Sequence, residues 1–196
     1  MIESFHNPVH RRRTQVLAHA VAAIIPGNAE VLDVGCGDGL VADVLKRISP
    51  GLIISGVDVI VRSSTYIPVT SFDGRTLPYE DGSFDFVMFV DTLHHTTDPT
   101  ILLREAARAA RVGIVIKDHI LEGFLSGATL RFMDWVGNAR HHVSLPYNYW
   151  SRSRWLDVFK QLDLHLSVWE ENLGLYPWPA NLLFERSLHF VARLDV

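Results

Sequence analysis

The chain has 196 residues, which is enough for one domain with a substantial hydrophobic core. Hydrophobic residues make up 48% of it and charged residues 20%, the proportions of an ordinary globular domain. The formal net charge of −4 gives no overall attraction to nucleic acid, so we expect no nucleic-acid partner. No stretch approaches the roughly 18 apolar residues of a membrane-spanning helix, and we expect no membrane span.

The first predicted element is an amphipathic helix over residues 11–25. Its apolar residues recur on one stripe, and Pro26-Gly27 ends it. The short basic cluster Arg11–Arg13 lies at its start. We interpret this cluster as a solvated helix face rather than a phosphate contact, because longer basic runs are needed to attract nucleic acid.

A glycine-rich turn follows, in the stretch AEVLDVGCGDGL over residues 29–40. Val31, Leu32 and Val34 form a short apolar run typical of a buried strand, and the helical period begins at Leu40. The glycines stand at alternating positions between the strand and the helix. Such a turn presents backbone N–H groups and the positive end of a helix dipole to a ligand.

The turn contains Cys36, the only cysteine of the chain, so an internal disulfide is excluded. We interpret Cys36 as a small residue that fits the turn, because no histidine is tied to it by a familiar cysteine-enzyme signature. A lone cysteine and an N-terminus without an apolar signal core favour a cytoplasmic protein. A dinucleotide-binding fingerprint would need a third glycine where Leu40 stands, which argues against the alternative of a nicotinamide-dependent oxidoreductase.

A second buried strand is predicted over 52–57 and ends at Asp58. With the first strand and helix it makes a βαβ unit, so these strands should be parallel. This geometry places Asp58 next to the glycine turn, where its carboxylate can accept hydrogen bonds from both ribose hydroxyls of a nucleoside. A weak third strand is predicted over 67–69, with Pro68 suggesting an edge position.

A fourth strand is predicted over Phe84–Val90, after the turn at Asp81-Gly82. It lies within the stretch LPYEDGSFDFVMFVDTLHH. The glycine turn DVGCGDG resembles motif I of the class I S-adenosylmethionine (SAM) dependent methyltransferases. The later stretch resembles their D-x-x-x-LP-x-x-D-x-SFD-x-V run followed by a Leu-His-His element. The joint resemblance spans residues 29–118 and is more specific than either piece.

The remaining predicted elements bring the number of predicted strands to seven. Asp98-Pro99 opens a helix, a fifth strand runs over 112–116, and Lys117-Asp118-His119 follow at its end. Residues 120–150 form an apolar, aromatic insertion. Ser151 caps a further helix, strands six and seven are predicted over 164–170 and 187–194, and a long loop joins them. No change in composition marks a second domain, so we expect a single domain over residues 1–196.

The resemblance implies an α/β fold, a doubly wound, mainly parallel, Rossmann-like sheet of seven strands with the seventh reversed. It implies SAM as cofactor and S-adenosylhomocysteine as product. Asp33 and the turn residues Gly35, Cys36, Gly37 and Gly39 would hold the methionine part of SAM. The remaining positions carried over are Asp58 at the ribose, Asp73 and Gly74 at the adenine, and Asp91 near the methionine end or the substrate, with Val59 as a further cofactor-binding residue.

The acceptor is not identified by the sequence. The aromatic insertion 120–150 favours a small or lipid-like molecule, and we expect it to form a lid over the acceptor site. Tyr147, Tyr149 and Trp150 could belong to that lid or could pack the insertion. The N-P-P-Y signature of amino-group methylation of bases is absent after the fourth strand. A non-catalytic SAM-binding protein of the same fold is the main alternative to an enzyme.

The histidines at the ends of strands four and five are open to three interpretations. A histidine can act as a general base, since it titrates near neutral pH. It can also be structural or line the cofactor. Third, it can ligate a metal, but adjacent histidines are not a recognised ligand spacing, and we assign no metal. The residues concerned in the metal interpretation are His94, His95, Asp118, His119 and His141-His142. Of these, His95, Asp118 and His119 are the candidate catalytic residues.

Overall fold

The computed structural model describes residues 8–138, 146–185 and 187–196. Its helices are α1 Pro8–Ala22, α2 Leu40–Ile48, α3 Pro99–Ala109, α4 Ser126–Asn138, α5 Arg152–Gln161 and α6 Asn181–Phe184, with a 3-10 helix at Leu93–His95. Its strands are β1 Glu30–Val34, β2 Ile53–Asp58, β3 Val69–Ser71, β4 Phe84–Val90, β5 Ala110–His119, β6 His165–Glu170 and β7 His189–Asp195.

The strands form a single seven-stranded sheet in the order β3-β2-β1-β4-β5-β7-β6. The pairs β3-β2, β2-β1, β1-β4 and β4-β5 are parallel. Among the strands of the described residues, only β7 is reversed, since it pairs antiparallel with both β5 and β6. The predicted doubly wound, mainly parallel sheet with a reversed seventh strand is therefore confirmed.

Hydrophobic cores lie on both faces of the sheet. On one face, α3 and α5 pack with Leu102 and Trp155 against side chains of β4 and β5. On the other face, α1 and α2 pack with Val21 and Leu45 against β1 and β2. The central strand β4 is buried from Phe86 to Phe89, as expected for a strand covered on both sides.

The strands and helices differ from the sequence prediction mainly at their ends. Strand β5 continues through Lys117, Asp118 and His119, whereas the sequence predicts that these residues follow the strand. These polar residues are buried because each has a charged or hydrogen-bonding partner at the carboxyl edge of the sheet. Helix α1 ends three residues before the predicted end at Ile25, and the 3-10 helix 93–95 had not been predicted.

The insertion 120–150 contains α4. Its ends meet where Ile120 and Trp150 form an isolated parallel bridge. Tyr149 packs with Leu130 and Leu188 in a small hydrophobic cluster, and Tyr147 lies against it. His141 and His142 lie outside the described residues. Among the residues that are described, no helix is both long and apolar enough to cross a membrane.

Candidate active site

The glycine turn lies at the carboxyl end of β1, between the ends of β2 and β4. The backbone is left-handed at Gly35 and at Gly37, with φ of 71° and 60°. This region favours glycine, because a Cβ clashes there with the backbone. The Gly35 N–H donates to the Val57 carbonyl at 2.8 Å, which ties the turn to the end of β2.

The segment after β4 packs directly on this turn. A Cβ at Gly35 would lie 2.3 Å from Thr92 Cγ2, so only glycine allows the approach. Thr92 immediately precedes the 3-10 helix that carries His94 and His95. The histidines therefore stand next to the turn that is predicted to hold the cofactor.

Asp33 and Cys36 lie beneath the turn. Asp33 is buried, and its Oδ1 has no hydrogen-bond partner within the described part of the chain. Burial, followed by the nearby Asp58, raises the pKa of Asp33 to about 7. Burial also raises the pKa of the Cys36 thiol, and its Sγ fills the space where a Cβ on Gly56 would lie. Both observations fit a small packing residue rather than a nucleophile.

Asp58 ends β2 with its carboxylate directed toward the turn. Its Oδ2 accepts a hydrogen bond from Gly37 N at 2.8 Å, and its Oδ1 accepts one from Ile60 N at 2.9 Å. The side chain is partly exposed, so its remaining lone pairs face solvent. Asp58 therefore lies where the sequence predicted, beside the glycine turn.

Val59 and Gly74 line the next part of the same edge. Val59 is 54% exposed, and a Cβ at Gly74 would lie 3.0 Å from Val59 Cγ1. Asp73 folds back on its own loop and accepts hydrogen bonds from Arg75 N and Thr76 N. These backbone bonds lower the pKa of Asp73 below its ordinary value. Val59 and Gly74 are thus closely packed against each other beyond Asp58.

Asp91, directly after β4, is the centre of an ion-pair cluster. Its carboxylate pairs with Arg13 from α1 and with Lys117 from β5. Burial alone would raise the pKa of Asp91, but Arg13 and Lys117 outweigh it and hold that pKa well below its usual range. The backbone of Asp91 is left-handed, with φ of 55°. Such a conformation in a non-glycine residue is typical of functional sites.

The interpretation of Arg11–Arg13 as a solvated helix face is correct for Arg11 and wrong for Arg13. Arg11 is exposed, whereas Arg13 is partly buried and bonded to Asp91. Arg13 lies on the side of α1 that reaches Asp91, which follows β4 at the carboxyl edge of the sheet. The neighbouring Arg12 donates to the Gly174 carbonyl at 3.1 Å, which also ties α1 to the loop after β6.

A second buried cluster surrounds His94. Its Nδ1 lies 2.6 Å from Asp118 Oδ1, and its Nε2 lies 3.3 Å from Asp134 Oδ1 on α4. Burial alone would lower the pKa of His94, but the two carboxylates raise it to about 10. The Tyr149 hydroxyl donates to the other oxygen of Asp134. The other oxygen of Asp118, Oδ2, accepts from the backbone N–H groups of Leu93 and His94.

His119 and His189 continue this cluster toward Lys117. Their ring centroids are 4.9 Å apart, and Lys117 Nζ lies 3.4 Å from His189 Nδ1. His189 Nε2 is 2.9 Å from the Phe184 carbonyl, which can only accept, so Nε2 carries the proton and Nδ1 accepts from Lys117. Burial, followed by Lys117, lowers the pKa of His189 to about 3 and that of His119 well below its usual range.

His95 differs from the other histidines of the site because it is partly exposed. Its ring centroid is 4.1 Å from that of His94. Burial, followed by the charge on His94, lowers the pKa of His95, so its imidazole is neutral at pH 7. Its Nδ1 has no hydrogen-bond partner among the residues described.

The structure thus brings most of the predicted site residues to one edge of the sheet. The sequence reasoning missed five residues that complete the clusters. These residues are Arg13, Lys117, Asp134, Tyr149 and His189. The sequence shows Lys117 beside Asp118 at the end of an apolar strand, but this position does not indicate which residues they contact.

The residues at the turn fit SAM. The left-handed glycines open the backbone to a ligand, and Asp58 has lone pairs left for a ribose. The unpartnered Asp33 Oδ1 is a buried acceptor at the base of the turn, within the described chain. The sheet order, the reversed β7 and this turn define the class I methyltransferase fold.

Comparison with known sequences agrees with the fold. The sequence model of the methyltransferase domain family matches residues 9–167, and the chain belongs to this family. The predicted membership of the SAM-dependent methyltransferases, with SAM as their cofactor, is confirmed. A ubiquinone biosynthesis O-methyltransferase from Xanthomonas axonopodis pv. citri is 30% identical over 118 residues, which cover 54% of this chain and 48% of that protein. The chain therefore spans about half the length of the curated relatives it matches.

Solved structures share the fold at low sequence identity. A methyltransferase in complex with the Haloferax volcanii Trm112 methyltransferase activator is 19% identical, with a TM-score of 0.70 over 94% of this chain and 90% of that one. A SAM-dependent methyltransferase from Thermotoga maritima is 22% identical, with a TM-score of 0.68 over 95% and 91%.

Proposed function

We propose that this protein transfers the methyl group of SAM to an oxygen or nitrogen atom of a small or lipid-like acceptor. The turn residues and Asp33 would hold the methionine part of the cofactor and Asp58 the ribose. Val59, Asp73 and Gly74 would face the adenine. The observation that carries the proposal is a partly exposed, neutral His95, three residues beyond Thr92, which packs against Gly35 of the glycine turn.

The chemistry asks little of the protein beyond alignment. SAM supplies a methyl group already activated on a sulfonium. The chain must align the acceptor in line with the S–CH₃ bond, exclude water and take up the acceptor's proton. We assign this last step to His95, because its ring is partly exposed and its Nδ1, although buried as an atom, is unpartnered within the described chain.

Asp118 and His119 take other roles in this proposal. The buried Asp118 already bonds the His94 ring and three backbone N–H groups, those of Leu93, His94 and His119. It therefore acts as a positioning residue for the 3-10 helix. His119 is 3% exposed and its Nε2 lies 3.5 Å from Asp91 Oδ1, so it supports the ion-pair cluster rather than contacting the acceptor.

Two observations support the acceptor class. The curated relative over 118 residues is named an O-methyltransferase of ubiquinone biosynthesis, which favours an aromatic or lipid-like hydroxyl. In the insertion, Phe132 is 53% and Trp135 59% exposed, more apolar surface than a structural connection needs. We propose that residues 120–150 cover the acceptor and that the protein works in the cytoplasm.

The role of His95 is tested by release of S-adenosylhomocysteine from SAM with a panel of phenolic and polyprenyl-phenolic acceptors. His95→Gln should lower kcat about 100-fold or more, as expected for loss of a general base, while SAM affinity stays unchanged. The exposed His165 on β6 supplies the control, since His165→Gln should keep full activity. Equal turnover in both variants would remove His95 from the reaction, and no turnover with any acceptor in the wild type would favour a non-catalytic SAM-binding protein.

The lid is tested separately with Tyr147 and Tyr149. Because Tyr149 is buried and bonded to Asp134, its loss should disturb the insertion, whereas Tyr147 is partly exposed on its surface. Tyr147→Ala and the double variant should bind SAM normally by calorimetry but show a raised KM or a changed preference for the acceptor. Unchanged KM and preference in folded variants would make both tyrosines packing residues.

A further inference from the structure

His94 Nε2 and Asp134 Oδ1 face each other at a distance that suits a shared ion. The two atoms are 3.3 Å apart, and Nε2 forms no aligned hydrogen bond to any described residue. At zinc–nitrogen and zinc–oxygen bond lengths of about 2.1 Å, two ligands of a tetrahedral ion are roughly 3.4 Å apart. The observed separation is therefore close to the ligand-to-ligand distance of a tetrahedral site, as well as to that of an ion pair between the two groups.

Both residues are held by further contacts of the kind that orient metal ligands. Asp118 Oδ1 lies 2.6 Å from His94 Nδ1, which keeps a proton on Nδ1, so a metal ion would displace the proton of Nε2, the ring atom that faces Asp134. The Tyr149 hydroxyl bonds the other oxygen of Asp134. A carboxylate–histidine pair behind the metal and a bonded ligand carboxylate are the usual outer partners of protein metal sites.

His95 supplies the third ligand. One ligand atom from each of His94, His95 and Asp134 lies within 4.8 Å of the other two. His95 Nδ1 is buried as an atom and unpartnered in the described chain, although its ring is partly exposed. A second trio, His94 with Asp118 and His119, is less suitable, because its His94–Asp118 pair is already hydrogen bonded at 2.6 Å.

We propose that His94, His95 and Asp134 bind one divalent transition-metal ion, with zinc as the best fit. Two imidazoles and a carboxylate are donors that zinc accepts, and three protein ligands leave the fourth tetrahedral position open. The partly exposed side of His95 gives the ion a path from solvent. The sequence alone assigns no metal, because adjacent histidines are not a recognised ligand spacing and Asp134, 39 positions beyond His95 on a separate helix, gives no sign that it joins them.

This inference does not depend on methyl transfer. A bound ion would occupy the nitrogen of His95 that the metal-free protein offers as a base, so the two roles are alternatives at one atom. Metal binding is measured without SAM and without acceptor. A negative result would overturn the metal site and leave the proposed reaction standing, whereas a protein that binds metal but is inactive in its metal-free form would do the opposite.

The experiment uses the full chain without a histidine tag, stripped of metal and titrated with Zn²⁺ against a chromophoric chelator. Co²⁺ serves as a second probe, since its visible absorption is intense in tetrahedral sites. We expect one ion per chain and a higher Tm on loading, as any ligand that binds only the folded state raises stability. The control is His165→Ala, a histidine on the opposite part of the sheet, which should bind as the wild type does.

The variants distinguish a specific metal site from adventitious metal binding. His95→Ala and Asp134→Asn should abolish the one-to-one uptake, and the asparagine can still accept the Tyr149 hydroxyl, so folding should survive. Asp118→Asn should weaken zinc affinity about 10- to 100-fold, the range expected for an outer partner. Uptake well below one ion per chain in the wild type, or wild-type affinity in folded His95→Ala and Asp134→Asn, would overturn the proposal.

Discussion

Replacement of Asp58 by alanine should weaken cofactor binding by a predictable amount. A carboxylate has about four lone-pair positions. In the structure Gly37 N and Ile60 N occupy one on each oxygen, which leaves one on each for the two ribose hydroxyls. Each hydrogen bond to a charged group contributes about 1.5–3 kcal/mol, so the loss of even one of the two should weaken binding about 10- to 150-fold.

Calorimetry with S-adenosylhomocysteine, which is not consumed, measures this loss. Asp58→Asn should lie between the wild type and Asp58→Ala, because its amide oxygen still accepts while its NH₂ group cannot. The exposed Asp157 on α5 provides the matched control, and Asp157→Ala should bind normally. Affinity within about twofold of the wild type, in an Asp58→Ala variant with normal Tm, would show that Asp58 does not hold the ribose.

Two further predictions concern the turn and its base. Gly37→Val should lose cofactor binding but keep its fold, because φ of 60° is strained for valine and the new Cβ would lie 3.3 Å from Arg62. The control Gly27→Ala, whose Cβ would have nothing within 4 Å, should bind the cofactor normally. Tight binding by folded Gly37→Val would show that the glycine turn does not hold the cofactor. Asp33 has a raised pKa of about 7 against an ordinary value of 3.8, so the unfolded chain ionises first and this group's contribution to stability falls as pH rises between those values. The Tm of cofactor-free Asp33→Asn minus that of the wild type should therefore grow from pH 4 to pH 7 and then level off, and a constant difference would refute the pKa shift.

The fold could be predicted because its signals are local. The apolar runs that became β1, β2 and β4 are short and bounded by turns, and a βαβ unit fixes their parallel order. The cap at Asp98 also appears as predicted, with its side chain accepting from Thr100 N. Each of these features depends on residues only a few positions apart.

The site could be predicted only in part because its partners are distant in the chain. Arg13 and Asp91 are 78 positions apart, and nothing near Arg13 distinguishes it from the exposed Arg11. Asp134 lies on α4 among apolar residues, and its pairing with His94 depends on how the insertion folds back. The glycine turn and Asp58, in contrast, lie within one βαβ unit, and the sequence placed them correctly.

The place of β7 in the sheet has a consequence for how the molecule folds. Strand β7 lies between β5 and β6, so β6 has no hydrogen-bonded neighbour in the sheet until β7 pairs with it. Until then β5 presents an open edge, the kind of edge that pairs with other chains. Pairings between strands so far apart in sequence form late and slowly. His189 at the start of β7 also contacts Lys117. The pairing of β7 with β5 and β6 therefore completes both the sheet and the buried Lys117–His189 part of the site.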